Sequence, residues 1–139
     1  MRLLPLAAAL VLAACTTLPP PDRIAATHPL PTVAMDGIIT NSLTGELRRR
    51  GDCLFLMVDR GDRAIPFLLV WPEGSRFDGR RVAVANRDGA PLVQLGDRLT
   101  VEGGSPPWAD YLLQNFPQLR PWQARCSATP MFADLIRRR

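Results

Sequence analysis

The sequence predicts a mainly β fold: a small, partly open antiparallel β-barrel of five to six strands with one packed C-terminal helix. All ten glycines fall between Gly37 and Gly104, where they alternate with short apolar runs, as in a chain of strands and tight turns. Two of these runs are apolar on both faces, which is typical of strands covered on both sides. After Gly104 the glycines stop and prolines precede apolar residues at helical spacing.

The first strands lie in residues 33–71. An early strand is expected near 33–40 and a second near 45–49. The two runs that are apolar on both faces, Cys53–Val58 and Phe67–Trp71, follow, and we expect them to form the central pair.

The next strands lie in residues 82–102. Valines alternate with alanines over 82–85, the segment Asn86–Gly89 has the composition of a hairpin turn, and Leu92–Leu95 returns along it. Residues 98–102 alternate strictly, so that Leu99 and Val101 are expected to face the core.

The C-terminal third predicts one helix and one ambiguous segment. Ser105 is a candidate N-cap, the two prolines after it suit a first helical turn, and apolar residues share one face until Pro117 stops the helix. Alternation over 131–136 favours a closing strand, although Thr129-Pro130 and the final arginines would also suit a helix. This order of elements fits an OB-like barrel.

The first 14 residues predict an export signal. Their apolar stretch of about ten residues follows Arg2 and is too short to span a membrane as a helix. The following residues, Leu12-Ala13-Ala14-Cys15, resemble the lipobox of bacterial lipoproteins. This resemblance implies cleavage before Cys15 and its acylation, and two or more acyl chains anchor a protein stably. Thr16, where the family's retention signal has aspartate, implies the outer membrane in a cell with two membranes. The alternative is an ordinary signal peptide with an incidental cysteine.

The predicted organisation is a signal peptide over 1–14, a lipidated cysteine with a tether over 15–32, and a single domain over 33–139. Five prolines and no glycine between 16 and 31 are typical of an extended spacer. The single histidine, His28, lies in this tether, where nothing is expected to orient its ring.

The residues that are missing exclude several kinds of chemistry. All 17 basic residues are arginine, so lysine-based catalysis is excluded. With one histidine in the tether, nucleophilic triads and the common Cys/His zinc sites are not expected either. We therefore expect no metal and no cofactor.

Two cysteines remain once Cys15 is acylated. An even pair in an exported protein predicts a disulfide between Cys53 and Cys126. A redox-active pair is the alternative, but neither cysteine belongs to a C-x-x-C motif.

The sequence around the cysteines contains, in order, Gly-Asp-Cys-Leu, Leu-Leu-Val-Trp-Pro-Glu-Gly and Gly-Asp-Arg-Leu-Thr-Val-Glu-Gly-Gly. This pattern resembles a small cysteine-bridged domain of exported bacterial proteins. That resemblance covers about 33–139 and implies no activity.

Aromatic and charged side chains favour binding over catalysis. The candidate binding residues are Trp71, Glu73, Arg76, Asp78 and Trp122, which combine rings for stacking with charges for recognising polar ligands. Trp122 follows a proline in a predicted loop and is expected to be exposed. For Trp71, the alternative to a binding role is a position in the core.

We therefore expect a non-catalytic, lipid-anchored, periplasm-facing module that binds an envelope protein or glycan. The alternatives are a glycan hydrolase that uses Glu73 and Asp78 as paired carboxylates, and an inhibitor of a secreted enzyme. Two arginine clusters, Arg48–Arg50 and Arg137–Arg139, suit either a solvated face or contact with anionic headgroups. Without the signal, the net charge is only +3, so nucleic acid is not an expected partner.

Overall fold

The computed structural model describes residues 24–34 and 41–139. In that part of the chain lie nine strands, two short α-helices and one 3-10 turn at Pro117–Leu119. The elements are β1 (Thr32–Val33), β2 (Asn41–Arg50), β3 (Cys53–Arg60), β4 (Arg63–Pro72), β5 (Arg76–Phe77), β6 (Arg81–Ala83), β7 (Leu92–Gln94), β8 (Arg98–Gly104), α1 (Asp110–Asn115), α2 (Arg120–Arg125) and β9 (Thr129–Arg138). None of the described helices is long and apolar enough to span a membrane.

Five of the strands close into a barrel. β3 pairs antiparallel with β2 and β4, and β8 pairs antiparallel with β2 and β9. The parallel pairing of β9 with β4 completes the ring. The predicted β class is confirmed, including the central pairing of β3 with β4 and the strand over 131–136, but the barrel is closed rather than partly open. Closure occurs because the first residues of β9 pair with β4 and the later ones with β8.

The inside of the barrel is a single apolar core. Alternate residues of each strand point into it, among them Leu54 and Leu56 on β3 and, as predicted, Leu99 and Val101 on β8. Phe55, which lies between the two leucines, points outward instead and is covered by a second apolar layer. The run Cys53–Val58 is therefore apolar on both faces because both faces are buried.

The second layer consists of the helical segment between β8 and β9. Leu113, Leu119 and Trp122 pack there against Phe55 and Phe132 on the barrel wall. The predicted disulfide is confirmed: Cys53 at the start of β3 is bonded to Cys126 just after α2, with 5.9 Å between their Cα atoms. This bond fixes the helical layer to the wall that it covers.

The helix begins later than predicted. Ser105 does not cap it; α1 starts at Asp110, and its N-cap is Ala109, without a side-chain hydrogen bond. The two consecutive prolines explain the delay, since a residue that precedes proline is disfavoured in the helical region. The extended segment is held by Trp108, whose Nε1 donates a hydrogen bond to the carbonyl oxygen of Ala128 at 2.8 Å.

Strands β5, β6 and β7 form a separate sheet that covers the end of the barrel where β4 ends and β8 begins. Val82 pairs with Val93 as the predicted hairpin requires, but the hairpin is not part of the barrel wall. Its valines and Phe77 are buried in the barrel core. In the turn, Asn86 donates from Nδ2 to the carbonyl oxygen of Ile136 at 2.7 Å and accepts from the Ile136 N–H at 3.0 Å, which docks the sheet on β9.

Residues 24–32, predicted as tether, lie against the domain. Thr32 and Val33 pair in parallel with the end of β4, and the Trp71 N–H donates to the carbonyl oxygen of Pro31 at 2.8 Å. The ring of His28 packs against Phe77, with 5.4 Å between centroids. The prolines keep this segment extended, and extended backbone can pair with a strand edge. Residues 15–23, including Cys15, and the part of the early strand over 35–40 lie outside the described residues.

The disulfide is expected to supply a large part of the stability. Replacing both cysteines with serine removes a cross-link between residues 73 apart, and loop-closure entropy assigns such a bond about 4 kcal/mol. Denaturant unfolding of the Cys53→Ser/Cys126→Ser variant should show a loss of this size. Cys15→Ser is the matched control and should unfold like the wild type. Equal stability of all three proteins would contradict the role given to the bond.

Candidate functional site

Two of the predicted binding residues are buried. Trp71 lies inside the barrel with no exposed surface, and its Nε1 has no hydrogen-bond partner among the described residues. Trp122, predicted to be exposed in a loop, is 6% exposed and belongs to α2. The prediction failed because Pro121 occupies the first turn of a helix, a position that proline favours as readily as a loop. These tryptophans do not form a stacking patch.

The two predicted carboxylates line different surface hollows. Glu73 is exposed after β4, in a cleft with Arg87 and Asp134. Asp78 lies in another hollow, with Arg80, Arg81 and Gln94. Arg76, the remaining candidate, is exposed on β5.

Asp78 organises the turn between β5 and β6. Its Oδ1 accepts hydrogen bonds from the backbone N–H of Arg80 at 3.0 Å and of Arg81 at 2.6 Å, and its Oδ2 accepts one from the Arg81 guanidinium at 3.0 Å. Burial raises the pKa of Asp78, but these hydrogen bonds outweigh burial and hold the pKa below its ordinary value. A carboxylate held in the ionised form is a poor general acid.

A larger groove, of about 450 Å³, crosses the outer faces of β2 and β3. It exists because alternate residues of β2 point away from the core, while their neighbours Leu43 and Leu47 point into it. Four arginines and two carboxylates line the groove, which therefore has a net charge of +2. We call it the arginine groove; its residues are Glu46, Arg48, Arg49, Arg50, Phe55, Met57, Asp59, Ala64 and Arg98.

The four arginines differ in how firmly they are held. Arg48 forms an ion pair with Glu46 at 2.8 Å. Arg49 donates to the carbonyl oxygens of Gly51 at 2.7 Å and Gly79 at 2.9 Å.

The other two arginines have looser contacts. The guanidinium of Arg50 lies 5.9 Å from the ring centre of Phe55, and that of Arg98 lies 3.9 Å from the carboxylate of Asp59. Arg50 and Arg98 are therefore the arginines best able to turn toward a ligand.

No protein-family model, curated protein or solved structure matches this chain. Only the Arg48–Arg50 cluster of the groove is visible in the sequence. Met57 and Arg98 join it through strand pairing, since Glu46 of β2 lies opposite both of them.

The hydrogen bonds to Asp78 predict a pH-dependent contribution to stability. Because its pKa is lowered in the folded protein, ionised Asp78 stabilises the fold above the unfolded-state pKa of about 3.9, and this contribution is lost as the pH falls further. Asp78→Asn should therefore lower the free energy of unfolding at neutral pH, and the difference from wild type should narrow below about pH 4. Denaturant unfolding across this pH range measures the difference in the free energy of unfolding between Asp78→Asn and the wild type. Glu73→Gln, on the neighbouring exposed loop, is the control, and a pH-independent difference for Asp78→Asn would contradict this role.

Proposed function

We propose that this protein is a non-catalytic, lipid-anchored module of the cell envelope that binds an acidic glycan through the arginine groove. The observation that carries the proposal is the groove itself, with its net charge of +2 and the guanidinium groups of Arg50 and Arg98 beside an apolar floor. Guanidinium groups bind carboxylates and phosphates through paired hydrogen bonds. Met57 and Ala64 on the floor suit the apolar face of a sugar ring.

The strand order supports an OB-like assignment of the barrel, which we include in the proposal. Around the ring, the barrel strands follow in the order β2, β3, β4, β9 and β8, and β8 pairs again with β2. The last strand in the chain, β9, therefore lies between β4 and β8 and is parallel to β4. OB barrels bind oligosaccharides or oligonucleotides on the outer face of neighbouring strands. The arginine groove lies on such a face, formed by β2, β3 and the start of β4. The export signal favours a glycan over a nucleic acid.

The lipid anchor in this proposal is Cys15, in the segment that resembles a lipobox. Ile24 is nine residues farther along the chain and is buried against the domain. Nine extended residues reach at most about 30 Å, so an acylated Cys15 would keep the domain close to the membrane. Thr16 favours the outer membrane.

The groove is tested by removing its two loosely held arginines. Arg50→Gln/Arg98→Gln should weaken binding to a carboxylated polysaccharide such as polygalacturonate by about tenfold or more, because each charged hydrogen bond contributes about 1.5–3 kcal/mol. Added salt should weaken wild-type binding as well. Fluorescence or calorimetric titration, with neutral dextran as a second probe, measures these effects.

Arg60→Gln/Arg63→Gln is the matched control for this experiment. It removes the same charge from two exposed arginines at the turn between β3 and β4. Binding should stay at the wild-type level. Equal losses in the two double variants, or equal binding of polygalacturonate and dextran, would refute recognition by the groove.

The anchor is tested separately. Cys15→Ser should abolish labelling by radioactive palmitate and move the protein from the membrane fraction to the soluble fraction. Binding of polygalacturonate by the released protein should be unchanged. Membrane association that persists in Cys15→Ser would disprove the anchor without affecting the groove.

A further inference from the structure

A β-bulge in β9 gives Asp134 an unusual position. Opposite β8, Leu135 pairs with Glu102 and Ala133 pairs with Gly103, so Asp134 is an extra residue with no partner across the strand pair. A bulge turns the side chain of its extra residue away from the direction that regular alternation would give it, and bulges are common beside functional sites. The carboxylate of Asp134 is directed in this way toward a cleft on the surface.

Asp134 is buried but incompletely satisfied. Its side chain is 6% exposed, and among the described residues its Oδ2 has no hydrogen-bond donor. Of the described cations, the guanidinium of Arg87 pairs with Asp134, with its Nη2 3.4 Å from Oδ2 as an ion pair rather than a hydrogen bond. Buried carboxylates normally accept hydrogen bonds, because the interior does not replace the water that they lose. Oδ2 is itself covered beside Arg87, so a donor supplied by a ligand would reach it when the exposed Arg87 guanidinium turns aside.

The cleft in front of Asp134 has a volume of about 240 Å³. Among its described lining residues, two carboxylates, Glu73 and Asp134, and one guanidinium, Arg87, carry charge, so that this lining has a net charge of −1. The remaining walls are small and apolar: Val33, Ala34, Pro72, Ala85 and Ala133. Carboxylates accept directional hydrogen bonds from an organic ammonium, and a guanidinium pairs with a carboxylate, so the lining suits a ligand that carries both charges.

Arg87 is placed at the cleft by the turn that docks on β9. On one side of it, Asn86 exchanges two hydrogen bonds with the backbone of Ile136. On the other side, the carboxylate of Asp88 accepts a hydrogen bond from Arg137 at 2.9 Å. The Arg87 side chain is 56% exposed between these two fixed neighbours, which leaves its guanidinium able to turn from Asp134 to a bound anion.

We propose that this cleft binds a small α-amino acid. The ligand's carboxylate draws the Arg87 guanidinium away from Asp134, and its ammonium group donates to the Oδ2 that this movement uncovers and is attracted by Glu73. The alanine and valine walls accept a short apolar side chain. The volume fits one small molecule and is too small for the glycan chain proposed for the arginine groove, so the two sites are independent.

The test is a titration of the full chain carrying Cys15→Ser with L-alanine, monitored through the backbone amide signals of Ala85, Ala133 and Asp134 by NMR. Saturable shifts are expected at millimolar concentration. Asp134→Asn and Arg87→Gln should each weaken binding by about tenfold or more, since each removes a charged hydrogen bond. Ethylamine and acetate, which each carry half of the recognised charge pair, should bind more weakly than alanine.

Glu102→Gln is the control variant, because Glu102 lies beside the bulge on β8 without lining the cleft. It should bind alanine like the wild type. If Asp134→Asn fails to fold, the Arg87→Gln variant still tests the proposal, because Arg87 is exposed. The proposal is overturned if alanine produces no saturable shift, if acetate binds as tightly as alanine, or if Arg87→Gln binds alanine like the wild type.

Discussion

Strand β9 must satisfy the backbone hydrogen-bonding groups of two neighbours, β4 and β8, and the rest of the structure depends on how it does so. Its first residues pair in parallel with β4, and from Phe132 onward it pairs antiparallel with β8. The bulge at Asp134 lies within the second pairing. It also changes the alternation, because Ala133 and Ile136, three residues apart, both belong to the barrel core. The approach is close: a Cβ on Gly103 would collide with the carbonyl group of Phe132. Only glycine fits there, and without it β8 and β9 would separate.

The closed barrel has little interior volume, so the remaining apolar residues must be buried outside it. The helical segment covers the outer face of β3, β4 and β9, and the small sheet of β5 to β7 covers one barrel end. Each addition has its own attachment. The disulfide holds the helical segment, and the side chain of Asn86 holds the sheet through the backbone of Ile136. These attachments matter because neither the helical segment nor the small sheet is long enough to be stable alone.

Local patterns predicted the elements better than the sites. Alternation and apolar runs indicated β3, β4, β8 and β9, and the even pair of cysteines indicated the disulfide. The burial of Trp122 was missed because Pro121 is compatible with a loop and with a helix start. Asp134 gave no signal, since one aspartate in an apolar run has no recognisable partner in the sequence. Its neighbours in the cleft, Glu73 and Arg87, are brought there by the pairing of β9 with β4 and by the turn that Asn86 docks.

The two surfaces differ in charge, and so do the ligands proposed for them. The arginine groove has a net charge of +2 and lies on the outer face of β2 and β3. The cleft has a net charge of −1 and lies where β4 and β9 meet the small sheet. A polyanion attracted to the groove is repelled by the cleft, and the cleft's carboxylates attract a cationic group that the groove repels. The guanidinium of Arg87 gives the cleft one positive group beside buried Asp134, and the proposed amino acid would pair its carboxylate with that group. Under the two proposals, opposite charges on one small domain would keep the two ligands from competing.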